Sequence, residues 1–236
     1  MSLLRSVLFS TPLIALATAI GGTLSLFASF FDGTGNTQHR MARVWSRFLL
    51  WVSFIHVRVE GLENLDPKGT YVLVGNHGSY MDIPALIATL PLQFRFFAKS
   101  SLYRIPFLGT HLRRAGHLPV DRSNARNSLK SMTEGARIIS QKHMSVLLFP
   151  EGGRSAAGLR EFKEGAAYIA IKAGVPVLPI GIMGMRRLLP MGSGHLRSGN
   201  VTVRVGRPIP TEGLKLADRA ALNQQLYQEV TRLMGE

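Results

Sequence analysis

The stretch that decides the fold is YVLVGNHGSYMDIP, residues 71–84. Its first five residues are aromatic, apolar or small, which is typical of a buried strand. Pro84 is tolerated only in the first turn of a helix. The sequence therefore predicts a strand over residues 71–75, a helix that begins near Asp82, and a turn between them that carries His77.

A turn of this kind can bring the side chains of His77 and Asp82 together. In one continuous helix, residues five apart would point about 140° away from each other. An aspartate that accepts a hydrogen bond from one imidazole nitrogen fixes the tautomer and leaves the other nitrogen able to take a proton. The pattern therefore indicates an acid/base pair. From these two residues alone a second interpretation stays open, in which Asp82 only caps the helix and His77 is a loop residue.

Beyond residue 60, short apolar runs alternate with longer mixed segments, which is the pattern of an α/β domain. The runs predict strands over residues 55–60, 71–75, 94–98, 116–120, 145–149, 175–182 and 201–205, and helices over 83–89, 123–141, 163–173 and 217–234. We therefore expect one α/β domain over residues 58–236, with a mixed sheet flanked by helices. A membrane-associating helical segment over residues 1–57 is expected to precede it.

The N-terminal segment contains 25 consecutive residues, 7–31, without a charged side chain. A helix of that length rises about 37 Å, enough to cross a hydrocarbon core of roughly 30 Å. A cleaved signal peptide is the competing interpretation, but its apolar core usually has only about 7–15 residues. We expect the segment to stay in the cell inner membrane, with the α/β domain on the cytoplasmic side.

A second apolar stretch, residues 48–57, follows a polar turn at residues 32–36. Two helices joined by that turn predict a hairpin embedded in one leaflet, although a single span fits nearly as well. The second stretch is accompanied by basic and aromatic residues of the kind that anchor helices at headgroup level: Arg40, Arg43, Trp45, Arg47 and Trp51.

The composition limits the classes of partner that the protein could bind. Lys and Arg outnumber Asp and Glu by 28 to 14, a net charge of +14, which indicates anionic partners. The apolar leader favours an anionic membrane surface among them, and no RNA-binding signature supports nucleic acid. No cysteine is present, so a disulfide, a thiolate zinc site and a cysteine nucleophile are excluded. The histidines lack metal-ligand spacing, and neither a Walker A loop nor Gly-x-Gly-x-x-Gly occurs, so we expect no metal or nucleotide cofactor.

Three further blocks follow NHGSYMD along the chain. They are FAKSSLYRIPFLG (97–109) leading into GHLPVDR (116–122), then FPEGGRS (149–155), and finally VPVLPI (175–180). In this order the blocks resemble the four motifs of the 1-acylglycerol-3-phosphate acyltransferase family, whose first motif is His-x4-Asp. The resemblance covers roughly residues 61–208 and departs from the family at Gly153, where Phe-Pro-Glu-Gly-Thr-Arg-Ser has threonine. It implies a glycerolphosphate-acyltransferase-like domain.

The resemblance also implies a reaction. A fatty acyl group would move from acyl-CoA or acyl carrier protein to the free hydroxyl of lysophosphatidic acid, giving phosphatidic acid, with no cofactor beyond this co-substrate. His77 would be the general base and Asp82 would orient it. Other acceptors, such as another lyso-lipid or glycerol 3-phosphate, remain alternatives. So do a non-catalytic lipid-binding membrane protein and a lipid esterase, although no Gly-x-Ser-x-Gly motif supports the last of these.

The substrate-binding residues that the resemblance implies are Arg122, Arg154, Glu151, Gly152 and Lys99. The two arginines would bind the phosphate of the acceptor, because guanidinium offers a planar fork that stays charged. Each position has a plainer interpretation: the arginines and the lysine as solvated surface, Glu151 as the structural partner of an arginine, and Gly152 as a residue required by a turn.

Overall fold

A seven-stranded mixed β-sheet organises the protein. The computed structural model describes residues 2–121, 124–155 and 158–235. The strands are β1 (Ile55–Glu60), β2 (Val72–Gly75), β3 (Phe94–Lys99), β4 (Leu118–Val120), β5 (Ser145–Leu148), β6 (Val177–Met183) and β7 (Gly199–Val205). Their order in the sheet is β1-β7-β6-β2-β5-β3-β4. Only β6 and β7 pair antiparallel among these strands, and every other neighbouring pair is parallel.

The helices cover both faces of this sheet. They are α1 (Ser2–Arg5), α2 (Thr11–Ala28), α3 (Asn36–Val52), α4 (Asp82–Thr89), α5 (Leu108–Arg114), α6 (Ala125–Lys142), α7 (Gly165–Ala173), α8 (Met185–Leu188) and α9 (Arg219–Met234). A π-helical turn, Ser6–Ser10, joins α1 to α2.

The alternation of side chains along the central strands produces two cores. Leu73 of β2 and Leu147 of β5 pack with α3 and α4 on one face. Val72 and Val146, the neighbouring residues, pack with α6, α7 and α9 on the other face. Because both faces are covered, the central strands are continuous apolar runs rather than alternating ones.

The predicted mixed α/β architecture is confirmed. All seven predicted strands and all four predicted helices are present, with bounds that shift by no more than two residues. The sequence did not reveal α5 and α8, because elements of seven and four residues are too short to show a helical period.

The N-terminal segment forms a helical hairpin that packs against the domain. Helix Ser2–Ala28 is long and apolar enough to cross a membrane, by length and composition alone. It lies beside α3, where Trp45 donates from Nε1 to Thr18 Oγ1 over 3.1 Å. The buried Arg95 of β3 donates to the carbonyl of Thr34 (3.1 Å) and to Asn36 Oδ1 (3.0 Å) and so fixes the turn between the helices.

The second apolar stretch packs in the core of the domain and does not form a separate membrane helix as we expected. Residues 48–57 are divided between the end of α3 and the start of β1, and Leu49, Leu50 and Val52 are buried in the core. Arg43 donates to the carbonyls of Ile87, Leu90 and Leu92, at the end of α4, and Arg47 donates to that of Ala88. These two predicted headgroup anchors therefore stabilise the C-terminal end of a helix.

Three histidines make the fold sensitive to acid: His39 is buried, and His111 and His117 are half-buried. Burial, assisted by the charges of Arg95 and Arg43, lowers the pKa of His39 to about 3. Burial also lowers the pKa of His111, and it holds the pKa of His117 well below its usual value. All three imidazoles are neutral in the folded protein at neutral pH, whereas in the unfolded chain they take up protons near pH 6.5.

We therefore expect the free energy of unfolding to fall as the pH drops below about 6.5. In that range the unfolded chain binds more protons than the folded protein, so each of the three histidines adds a slope of up to about 1.4 kcal/mol per pH unit. Denaturant titrations in non-ionic detergent between pH 7 and pH 4 measure the slope. His39→Gln should reduce it, because glutamine does not titrate, and the exposed His143→Asn serves as control. An unchanged slope in His39→Gln would contradict the assignment.

Candidate active site

The turn between β2 and α4 brings His77 and Asp82 into contact. The distance from His77 Nδ1 to Asp82 Oδ2 is 2.8 Å. The same carboxylate oxygen accepts hydrogen bonds from the backbone N–H groups of Gly78 (2.9 Å) and Ser79 (2.8 Å). Asp82 is only 1% exposed, so this buried acceptor is satisfied by three donors from its own turn. The helix-cap interpretation is wrong, since Asp82 is the first residue of α4 and bonds to the preceding turn.

Two side chains anchor this turn to the rest of the fold. Asn76 exchanges two hydrogen bonds with the backbone of Ile182 in β6, at 2.7 and 2.9 Å. Ser79 is fully buried, donates to the carbonyl of Leu189 and accepts from the N–H of Met81. The Ser79 hydroxyl therefore serves the turn, which argues against Ser79 as a nucleophile.

Glu151 holds the backbone of His77 from behind. One carboxylate oxygen accepts from the N–H of His77 (2.6 Å) and the other from the N–H of Arg160 (3.1 Å). Glu151 is 4% exposed, and this burial raises the pKa of its carboxyl while the two hydrogen bonds oppose the rise. The N–H of Ser155 donates to the carbonyl of His77 over 3.0 Å. Segment 149–155 thus clamps His77 on both sides of its peptide backbone.

The imidazole ring of His77 is held face to face against Phe149. The ring centroids are 4.0 Å apart and the planes differ by 12°. The His77 side chain is 15% exposed. Because Nδ1 faces Asp82, Nε2 is the ring nitrogen left for a reacting group.

His77 lies at the wall of a cleft of about 770 Å³, which we call the first cavity. Its interior is apolar and is formed by side chains of β3, β5 and α6, including Phe96, Leu129, Met132 and Leu147. Its remaining wall carries the cations Arg154 and Lys163, together with Arg219, which forms an ion pair with Glu164 of the same wall over 2.7 Å. The cleft therefore combines an apolar interior with a positively charged rim beside His77.

Arg154 and Gly152 both belong to this rim. The guanidinium of Arg154 lies 3.3 Å from the ring centroid of Tyr80, a cation–π contact on an exposed aromatic ring. Gly152 has a φ of +76°, and a Cβ added there would approach Lys163 Nζ to 3.1 Å. Glycine is required for this backbone conformation and allows the lysine to lie close. At Gly153 a Cβ would meet no described atom within 4 Å, so the departure from threonine costs no packing contact there.

The other predicted site residues differ in where the structure places them. Lys99 is exposed at the end of β3 and is not among the described residues that line the first cavity. Arg122 lies outside the described residues. Glu151 bonds to backbone N–H groups rather than to an arginine side chain.

Lys163 was missed by the sequence interpretation, which placed it at the first position of a predicted helix. A cation there opposes the helix dipole, and this signal could have singled it out. Helix α7 begins two residues later, at Gly165. Within residues 2–121, 124–155 and 158–235, no group of three His, Asp or Glu side chains is arranged to hold a metal ion.

Comparison with known proteins gives consistent matches. A family model described as acyltransferase matches residues 56–183. The chloroplastic 1-acyl-sn-glycerol-3-phosphate acyltransferase LPAT1 of Arabidopsis thaliana is 37% identical over 175 residues, 73% of this chain and 48% of that protein. The Bos taurus 1-acyl-sn-glycerol-3-phosphate acyltransferase alpha is 32% identical, over 77% of this chain and 64% of that protein. The chain spans about half the length of the first of these curated relatives.

One solved structure is similar over nearly the whole chain. It is the 1-acyl-sn-glycerophosphate (LPA) acyltransferase PlsC from Thermotoga maritima. The TM-score is 0.80 at 26% sequence identity, with 99% of this chain and 95% of that chain covered.

Removing the Glu151 carboxylate should destabilise the fold. Glu151→Ala leaves two N–H groups without an acceptor, at a cost of about 1–3 kcal/mol each if both stay buried. Glu151→Gln should cost less, since its amide oxygen still accepts one bond. Glu134→Ala is the control, because Glu134 makes only an exposed ion pair with Arg137, and such pairs contribute little to stability. Denaturant titration measures the free energy of unfolding of all three variants. Equal losses for Glu151→Ala and Glu134→Ala would contradict the clamp.

Proposed function

The chain belongs to the acyltransferase family, and from this premise we propose that it transfers a fatty acyl group from a thioester to the free hydroxyl of lysophosphatidic acid, giving phosphatidic acid. One observation carries the proposal: His77, which is paired with Asp82, lies at a cleft with an apolar interior and a cationic rim. An acyl chain and a phosphate group need such a combination. The names of the relatives support lysophosphatidic acid as the acceptor.

His77 is the general base in this proposal. Its Nε2 takes the proton of the acceptor hydroxyl while the hydroxyl oxygen attacks the thioester carbonyl. The new C–O bond forms, the C–S bond breaks, and the imidazolium returns the proton to the departing thiolate. Such assistance contributes about 10²–10⁴-fold to the rate. Asp82 keeps Nε2 unprotonated by accepting the bond from Nδ1 and stabilises the imidazolium.

The tetrahedral oxyanion requires hydrogen-bond donors. Backbone amides near Gly152 and Gly153 are the candidates for this role in our proposal. The amide of Gly152 donates to the carbonyl of Phe149 over 3.0 Å. The amide of Gly153 donates to no backbone carbonyl within the part of the chain that the structure describes, and we assign the donor role to it.

The acceptor phosphate binds at the cationic rim in this proposal. Arg154 supplies a bidentate fork and Lys163 a point charge, both beside Gly152. Arg122, by its family resemblance, is assigned to the same phosphate. The apolar interior holds the acyl chain, since each buried CH₂ contributes about 0.8 kcal/mol.

The membrane segment, we propose, dips into one leaflet instead of spanning the bilayer. Both ends of its apolar helix contact the same domain. At the start, Ser6 Oγ accepts from the N–H of Leu196 (2.9 Å), and at the end Arg114 donates to the carbonyl of Ser29 (3.2 Å). A spanning helix would carry these ends to opposite sides. Its exposed face is apolar at Leu3, Leu8, Leu16, Ile20, Leu24, Phe27 and Phe31. We place the domain on the cytoplasmic side of the inner membrane.

A product assay tests the proposed reaction. The detergent-solubilised protein is given labelled acyl-CoA or acyl carrier protein with lysophosphatidic acid, another lyso-lipid, glycerol 3-phosphate or water alone as acceptor. We expect phosphatidic acid with lysophosphatidic acid, and no product from folded His77→Ala, because the base is lost. Free fatty acid that forms equally well without an acceptor would mean an esterase. Near-normal transfer by His77→Ala would contradict the mechanism.

Changing Arg154 should affect the acceptor more than the donor. Arg154→Ala should raise the KM of a phosphate-bearing acceptor by about 10-fold or more, since a charge-assisted bond contributes about 1.5–3 kcal/mol. Arg154→Lys should recover part of the loss. The exposed Arg207→Ala is the matched control. A rise confined to the KM of the donor would place Arg154 at the donor site instead.

Labelling of single cysteines distinguishes a hairpin from a span in this cysteine-free chain. Ser2→Cys and Ser198→Cys are probed separately in sealed vesicles of known orientation with a membrane-impermeant thiol reagent. We expect both to react from the same face, because the start of the apolar helix contacts the domain. Labelling of the two positions from opposite faces would establish a span.

A further inference from the structure

A second cavity, of about 440 Å³, meets the first at the active-site histidine. Among the residues that the structure describes, His77 alone lines both cavities. Arg154 and Gly152 line the first, whereas Asp82 and Gly78 line the second. His77 therefore lies between two separate spaces.

The two cavities differ in their content of large aromatic side chains. The second has no Phe, Tyr or Trp in its described lining and is bounded by the end of β6, by α8 and by two loops. Gly158, in one of these loops, has a φ of +102°, and a Cβ there would meet no described atom within 4 Å. A Cβ at Gly78 would lie 3.2 Å from Cβ of Arg186. The arginine thus lies directly against the turn that carries His77.

The accessible charge of the second cavity is positive. Arg186 is half-buried and Arg187 is exposed, and both line the space. Arg187 forms no ion pair with a carboxylate of the described residues. The two acidic residues in the wall, Asp82 and Glu151, are buried and bonded to the turn and to backbone N–H groups. An anionic ligand would therefore encounter the guanidinium groups first.

We propose that the second cavity holds the phosphopantetheine arm of the acyl donor and that Arg186 and Arg187 bind its phosphate. This inference rests on the proposed function. The reactive carbon of a thioester joins two arms of opposite chemistry, an apolar chain and a polar arm that ends in phosphate. The first cavity offers aromatic and aliphatic side chains to the apolar chain, and the second offers Arg186 and Arg187 to the phosphate.

This assignment also determines the side of His77 on which the leaving thiolate lies. The acyl chain lies in the first cavity and the thioester carbonyl lies beside His77. When the C–S bond breaks, the sulfur leaves toward the second cavity and takes the proton that Nε2 received from the acceptor. The acyl carbon stays on the side of Arg154, where the acceptor oxygen has formed the new C–O bond. Acyl-CoA and acyl carrier protein share the phosphopantetheine arm, so both fit this site.

Kinetics with each substrate varied in turn test the site. Arg187→Ala and Arg186→Ala should each raise the KM of the donor about 10-fold or more, with acyl-CoA and with acyl carrier protein alike, and leave the KM of the acceptor within about twofold. Arg187→Lys should recover part of the loss. Arg207→Ala is the matched control, because Arg207 is exposed and lies outside the described linings of both cavities. Denaturant titration checks that each variant is folded.

Three results would overturn the assignment. A rise in the KM of the acceptor alone would mean that the second cavity binds the phosphate of the acceptor. An effect with acyl-CoA alone would point to its nucleotide phosphates rather than to the shared arm. Unchanged kinetics in the double variant Arg186→Ala/Arg187→Ala would mean that neither arginine binds the donor.

A binding measurement separates this inference from the proposed function. Calorimetric titration compares CoA, 4′-phosphopantetheine and pantetheine, which lacks the phosphate. The unaltered protein should bind the first two at least about 10-fold more tightly than pantetheine, and Arg187→Ala should lose most of that difference. Equal affinity for phosphopantetheine and pantetheine in the unaltered protein would contradict the inference. If binding depends on the phosphate but the protein transfers no acyl group to any acceptor, the phosphopantetheine site stands and the proposed acyltransferase function is wrong.

Discussion

The buried carboxylate of Asp82 is the group on which the site depends. It is 1% exposed, and one of its oxygens accepts from His77 Nδ1 and from two backbone N–H groups. A buried carboxylate without such donors would be strongly destabilising. Residues 76–82 supply all three donors only when they form a turn, because a helix would direct the N–H groups along its axis. The electrostatic requirement of one side chain thus fixes the geometry of the segment.

The sheet brings the remaining functional segments to this turn. β2 lies between β5 and β6 and runs parallel to both. The segments that follow these three strands therefore emerge at the same edge of the sheet, where sites of α/β proteins are commonly found. They carry His77 after β2, Arg154 after β5 and Arg187 after β6. Glu151 and Ser155 then join the first two segments through the backbone of His77.

Local patterns made much of this predictable from the sequence. Apolar runs identify the buried strands, and Pro84 together with the preceding strand locates the turn that pairs His77 with Asp82. The role of Glu151 could not be predicted, because its carboxylate bonds to an N–H group 74 residues away in the chain. Arg43 and Arg47 were misassigned for the same reason: their carbonyl acceptors lie 41–49 residues along the chain. A composition typical of a membrane interface also suits a helix that packs on a core.

The tautomer of His77 tests the role of Asp82 most directly. Nitrogen-15 chemical shifts of labelled histidine distinguish a protonated ring nitrogen from an unprotonated one, and His77→Gln identifies the signals by difference. With Asp82 as acceptor, we expect the neutral imidazole to carry its proton on Nδ1 and to leave Nε2 unprotonated. In Asp82→Asn this preference should weaken, because an amide can also donate to Nδ1. A neutral His77 with its proton on Nε2 in the unaltered protein would contradict the general-base mechanism.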